Sequence, residues 1–267
     1  MTPKSILLGM QSGLLAIDAS LSRAWNPKKR KSAIVPAGCR IYAIGDVHGC
    51  LDLLQRIWRL IESDIAGSNL RIKVVLLGDY IDRGPDSRGV VDFLLSARLP
   101  NSEIIYLRGN HDQSLLDFIA DPSYYRLWRA FGAAATLASY GVAPPHFDRE
   151  ADYARARTEL LRKCPSDHIS FFEHLRPYYM IGDCLFVHAG IRPGIALRRQ
   201  NHHDLLWIRD QFLNSEQMFD KLIIHGHSPS IRPVRRRNRI GLDTGAYATG
   251  CLTAGVFQGG ECRFLST

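Results

Sequence analysis

Seven residues able to hold a metal or move a proton lie at the ends of short apolar runs. Asp46 and His48 stand in "GDVHG" and Asp79 in "GDYIDRG". Asn110 and His111 stand in "GNHD", His188 in "HAG" and His227 in "HGHS". One such residue would mean little, because a lone histidine after a strand is more often part of a core and an aspartate there often caps a helix. Recurrence after five runs argues for one shared place, since sites in open α/β sheets form just beyond the carboxyl ends of the strands. Glycines in these motifs let the backbone turn sharply and come close to that place. The donors are oxygen and nitrogen with no thiolate. That excludes an iron–sulfur or cysteine zinc site and suits Mn, Fe or Zn. The donors are too many for one ion. Two ions about 3.5–4 Å apart, sharing a carboxylate, would use them all.

The flanking segments are the elements that must position these residues. "RIYAIG", "RIKVVLLG" and "SEIIYLRG" read as buried strands. Each leads through its motif into a helical pattern: "CLDLLQRIWRLIESD", "SRGVVDFLLSARL" and "HDQSLLDFIA". In the first, Leu51, Leu54, Ile57, Trp58 and Ile61 share one face. The stretch from Pro122 to Leu175 is mostly helical and carries no evident chemistry. "PYYMIG" and "CLFVHAG" pair as a hairpin, and "KLIIHGHS", "RIGLDTG", "CLTAGVF" and "CRFLS" are short strands. Strand–loop–helix alternation followed by a β-rich third predicts an α/β sandwich.

The 267 residues suit a single catalytic unit at 38–267, preceded by a basic extension at 1–37 that contains the KKRK run. The net charge of +8 favours anionic partners without choosing among them. "RPVRRRNR" (Arg232–Arg239) is a basic loop between strands. The six cysteines form no C-x-x-C pair and read as buried free thiols, as in a reducing cytoplasm. The mildly apolar start is broken by Gln11, Ser12, Gly13 and Asp18, so neither a signal peptide nor a transmembrane span is expected.

"GDVHG", "GDYIDRG", "GNHD", "HAG" and "GHS", in this order, resemble the phosphoprotein phosphatase family, within the calcineurin-like metallophosphoesterase superfamily, and "LLWIRDQFL" and "RIGLDTGAYATGCLTAGVF" further resemble its bacterial branch. The likeness runs from about Arg40 to Thr267 and implies a four-layer α/β/β/α sandwich with two metal ions at the strand ends. It implies that Asp46, His48 and His227 hold the first ion, that Asp79 bridges, and that Asn110 and His188 complete the second. Mn2+ is the first expectation, with Fe or Zn as the other candidates. Arg83 and Arg209 resemble the family's phosphate-clamping arginines, with Arg108 as a third. His111 would be the proton donor to the leaving oxygen, oriented by Asp82. Asp86 reads as a turn residue and cap of the next helix.

The resemblance implies a metal-dependent phosphomonoesterase of the serine/threonine protein phosphatase type, acting on phosphoproteins or small phosphoesters. One departure favours another substrate. The family usually has Glu after "GNH", whereas Asp112 stands here, and Asp occurs there in bacterial diadenosine tetraphosphate hydrolases, as does "LDTG". Those enzymes generally lack the "DYIDRG" arrangement, so Asp82 and Arg83 point back to the protein phosphatase. A third reading is an inactive fold that binds anions or nucleic acid. The intact ligand set argues against it, as does the absence of basic–aromatic interleaving, and no stable nucleic-acid partner is expected.

Overall fold

The computed structural model describes residues 35–267, so the KKRK run and most of the extension expected at 1–37 lie outside the described residues. Three parallel strands lead the chain: β1 (Cys39–Ile44), β2 (Arg71–Leu76) and β3 (Ser102–Tyr106). Between and after them run α1 (Leu51–Ile65), α2 (Ser87–Ser96) and α3 (Asn110–Ala120). The middle segment adds four helices: α4 (Tyr125–Trp128), α5 (Ala133–Ser139), α6 (Glu150–Lys163) and α7 (Ser166–Glu173).

A second sheet follows, from β4 (Tyr178–Ile181), β5 (Cys184–Val187), β6 (Leu222–His225), β7 (Val234–Arg235) and β8 (Arg239–Gly241). Helices α8 (His202–Trp207) and α9 (Asp210–Leu213) lie between β5 and β6 in sequence. After β8 and the short α10 (Ala246–Thr249), β9 (Thr253–Gln258) and β10 (Glu261–Ser266) return to the first sheet, where β9 pairs antiparallel with β1. The strand orders are β10-β9-β1-β2-β3 and β4-β5-β6-β8-β7.

The layers follow from side-chain alternation along each strand. Ile41 and Ala43 of β1, with Val75 of β2 and Leu77 just after it, pack between the sheets against Phe186, Ile224 and Ile240. Their neighbours Tyr42, Ile44, Val74 and Leu76 face the helices, where α1 buries Leu54, Ile57, Trp58 and Ile61. The other face of the second sheet, through Leu185, Val187 and Ile223, is covered by Leu205, Ile208 and Phe212. The expected α/β/β/α sandwich is therefore present. On α1 the buried stripe includes Leu53, while Leu51 at the first position is only partly buried. Asp86 caps α2, its side chain accepting from the Gly89 N–H at 2.8 Å. Val35 is buried between the sheets and its N–H donates to the Gly259 carbonyl. Arg239 departs from the rest of its basic loop. It is buried, with its guanidinium over the Phe212 ring. No helix among the described residues is long and apolar enough to cross a membrane.

Candidate active site

Loops after β1, β2, β3, β5 and β6 converge, and the buried side chains they carry are Asp46, His48, Asp79, Asn110, His111, His188 and His227. The turns that aim them are tight. Among the described residues six non-glycines have a left-handed backbone, and five of them are His48, Asp79, Asp82, Arg83 and His227. Such conformations persist only where the surroundings enforce them, and they concentrate at functional sites.

Asp79 is the hub. Its Oδ2 lies 3.4 Å from His188 Nε2, 3.6 Å from His48 Nε2 and 3.8 Å from His111 Nε2. Two groups of donor atoms share it, one with His48 and His111, the other with His188 and His227. The grouping of the histidines thus differs from the one expected, because His227 sits with His188 rather than with His48. Asp46 Oδ2 accepts the His227 N–H at 2.9 Å, which ties the loops after β1 and β6 together.

The donor set fits divalent cations on several counts. His48 Nδ1 donates to the Ile81 carbonyl and His188 Nδ1 to the Leu77 carbonyl, each at 2.9 Å. That fixes the tautomer and leaves a lone pair on Nε2, the usual support of a metal-binding histidine. His188 Nε2 then faces Asn110 Oδ1 at 2.9 Å, two acceptors with no proton between them. Burial pushes the His48 pKa down to about 3 and lowers those of His188 and His227, so these rings are neutral, the form a metal ion would need. Asp46 Oδ1 and His227 Nε2 are buried with no hydrogen-bond partner. Burial raises the Asp46 pKa well above the usual carboxylate range, and crowding by Asp243 and Asp79 adds to this. A cation among these groups would relieve both the desolvation and the crowding.

Beside the cluster, His111 Nδ1 donates to Asp82 Oδ2 at 2.7 Å. Asp82 is fully buried and also accepts from Trp128 Nε1 at 2.8 Å and from the Thr136 hydroxyl. Burial works to lower the His111 pKa, but Asp79 and the hydrogen-bonded Asp82 outweigh it and hold the pKa above its ordinary value. Arg83 Nη2 lies 3.2 Å from His111 Nε2, and its guanidinium stacks 4.7 Å over the exposed Tyr247 ring. Arg209 is exposed at the start of α9, near enough that its charge helps lower the pKa values of His188 and His227.

Other residues lie elsewhere. Arg108, expected on phosphate, donates to the Phe172 and Glu173 carbonyls at the end of α7 and to Gln113. Its charge serves a helix C-terminus. His225 packs on Phe212 in the core and His202 and His203 are exposed. Asp243 is both a turn residue, accepting from the Gly245 N–H, and a near neighbour of the cluster. No motif announces the partners of Asp82. Trp128 and Thr136 come from a stretch without motif, and only tertiary folding brings them to it.

Asp112 belongs to neither group of donor atoms, and its carboxylate meets the cluster only through backbone N–H groups. It accepts the N–H groups of Asp79 and Gly109, each at 2.8 Å, and of Tyr80 at 3.1 Å, lacing the loop after β2 to the loop after β3. Asp112→Ala would strand three buried donors. We expect it to lower stability by about 3 kcal/mol or more, measured by urea unfolding of metal-free protein.

The calcineurin-like phosphoesterase family profile matches residues 39–250, which span every one of these motifs. The chain belongs to the calcineurin-like phosphoesterase family. Membership implies a dinuclear divalent metal centre, and the cluster around Asp79 supplies its candidate ligands. Among curated calcineurin-like relatives, the bis(5'-nucleosyl)-tetraphosphatase PrpE [asymmetrical] of Anoxybacillus flavithermus is 27% identical over 233 residues, covering 79% of this chain and 87% of its own. The Bacillus thuringiensis protein of the same name is 25% identical over the same shares. Two solved structures share the fold. One, provisionally described as a diadenosine tetraphosphatase, has a TM-score of 0.59 at 22% identity, covering 88% of this chain and 98% of its own. A protein serine/threonine phosphatase from Saccharomyces cerevisiae has a TM-score of 0.51 at 15% identity, covering 86% and 79%.

These relatives overturn the expectation of a protein phosphatase acting on phosphoproteins, because the curated ones carry the name of a dinucleotide hydrolase. The physical reason lies in what "DYIDRG" encodes. Asp82 and Arg83 are built around His111, and a His111 support of this kind serves any phosphoryl transfer. The arrangement describes how the site is held rather than which group leaves it.

Proposed function

We propose that this calcineurin-like enzyme hydrolyses dinucleoside polyphosphates such as diadenosine tetraphosphate, cleaving a phosphoanhydride bond. The observation that carries the reading is the name shared by relatives that align over 79% of the chain. In this reading Asp46, His48, Asp79, Asn110, His188 and His227 hold two divalent ions, Mn2+ first among the Mn, Fe and Zn that these oxygen and nitrogen donors suit. The ions, when bound, make hydroxide available at neutral pH and neutralise phosphoryl charge. Arg83 and Arg209 bring positive charge to the equatorial phosphoryl oxygens, Arg83 through a planar fork already oriented on Tyr247. Asp82 keeps the His111 ring in place and stabilises its protonated form. When the incoming phosphate draws Arg83 onto its own oxygens, His111 Nε2 is free to present a proton to the leaving oxygen. The free thiols favour a cytoplasmic setting.

The test is chromatography of products after chelator-stripped protein is reloaded with Mn2+ and given diadenosine tetraphosphate. We expect metal-dependent formation of ATP and AMP in equal amounts, the asymmetrical split. Phosphate release from a phosphothreonine peptide with the dinucleotide untouched would refute the reading.

A further inference from the structure

A cavity of about 560 Å3 opens beside the cluster around Asp79, between the α4 segment and α8, with α3 beneath. One wall carries Leu127 and Phe131, the other His203 and Trp207, and Gln113 and Asp117 lie on the α3 side. Its inner end adjoins the site. The Phe131 ring is 5.7 Å from that of His111, and the Trp207 ring is 6.1 Å from that of His227. Phe131 and Trp207 touch each other at 5.3 Å, and His203 stacks on Trp207 with 23° between planes. At the mouth Leu127 is 59% exposed, an apolar side chain left in water.

We infer that this cavity takes the purine base of a nucleotide whose phosphate lies at the metal cluster. The inference rests on the nucleotide reading of the site, and it adds where one nucleoside sits. The volume is within the range of small-ligand pockets. Flat aromatic and aliphatic walls suit a planar ring, and aromatic faces bind bases by stacking. The polar groups beneath are of the right kind. The Gln113 amide is committed at both ends, its oxygen accepting from Arg108 and its nitrogen donating to Asp117 Oδ1 at 2.9 Å. The amide therefore holds the Asp117 carboxylate, an acceptor for the exocyclic amino group of adenine or guanine. Neither wall residue at the mouth is a metal ligand, so the base would be recognised by side chains outside the chemistry.

The test compares equilibrium binding of AMP and ribose 5-phosphate to Mn2+-loaded protein by calorimetry. Both carry the phosphate and only one carries a base. AMP should bind about tenfold more tightly, which is about 1.4 kcal/mol. Leu127→Asp and His203→Ala, both at exposed positions, should each shrink that ratio, with circular dichroism confirming that they fold. Equal affinities in the parent protein, or a ratio that survives both substitutions, would overturn the inference. The outcomes separate from those of the proposed function. Dinucleotide turnover without a base-dependent affinity would sink the cavity and spare the activity. A base-dependent affinity without dinucleotide turnover would do the reverse.

Discussion

His111→Asn should reduce kcat on an alkyl phosphate, offered only as a surrogate whose leaving group needs a proton, by about 100-fold or more while the protein retains its normal metal content. The loss should be smaller on diadenosine tetraphosphate. General acid catalysis contributes about 10²–10⁴-fold where the leaving group needs a proton. An alkoxide needs one badly, whereas a nucleoside polyphosphate leaves as a stabilised anion. The geometry supports a role in proton transfer over one in ligation, because the Arg83 guanidinium stands 3.2 Å from His111 Nε2, where a metal ion would meet a like charge. His111 Nδ1 is engaged by Asp82 at 2.7 Å, and Asp82 is itself clamped by Trp128 and Thr136. Asp82→Asn should follow the same pattern, because an amide cannot stabilise the imidazolium. Steady-state kinetics on the two substrates, with metal analysis of each variant, make the check. Equal losses on both substrates together with loss of metal would mean that His111 acts as a ligand instead.

Gly226→Ala should abolish most activity by a different route, through the ions. A Cβ at this position would stand 2.0 Å from Asp46 Oδ1, the carboxylate oxygen that has no hydrogen-bond partner. Neither group can easily yield. Asp46 is held through its other oxygen by the His227 N–H, and Gly226 joins β6 to the His227 turn. The methyl group would therefore push Asp46 and His227 apart. Displacement by about 1 Å in such a site costs about 100-fold in rate. We expect bound metal to fall below that of the parent protein and excess Mn2+ to restore part of the activity. His227→Ala, which removes the donor itself, should lose metal without such recovery. Metal analysis after gel filtration, with kcat/KM across a metal titration, distinguishes the two.

The strand ends and their donors were legible because apolar runs, turn glycines and ligand residue types coincide within a few positions. Asp46, His48 and Asp79 each follow a run whose alternate residues must be buried on both faces, which fixes where the strand stops. What could not be read depends on contacts distant in sequence. Asp82 gave no sign that Trp128 and Thr136 would hold it, since each lies in a helical stretch without a pattern of its own. Arg108 sits beside "GNHD" and suggests a phosphate ligand, yet the end of α7 offers carbonyls that take its guanidinium. The substrate is not legible because Asp82 and Arg83 read as specificity residues, while Asp112 points the other way. In the fold Asp112 laces two loops together without reaching into the site.

The left-handed backbone at His48, Asp79, Asp82, Arg83 and His227 has a consequence for how this protein can change. Each would be more comfortable as glycine, by about 1 kcal/mol where no other contact is lost. Each is also a residue whose side chain the cluster or its surroundings use. At these five places heat tolerance and hydrolysis pull in opposite directions, and selection for robustness alone would erode the site from its turns inward.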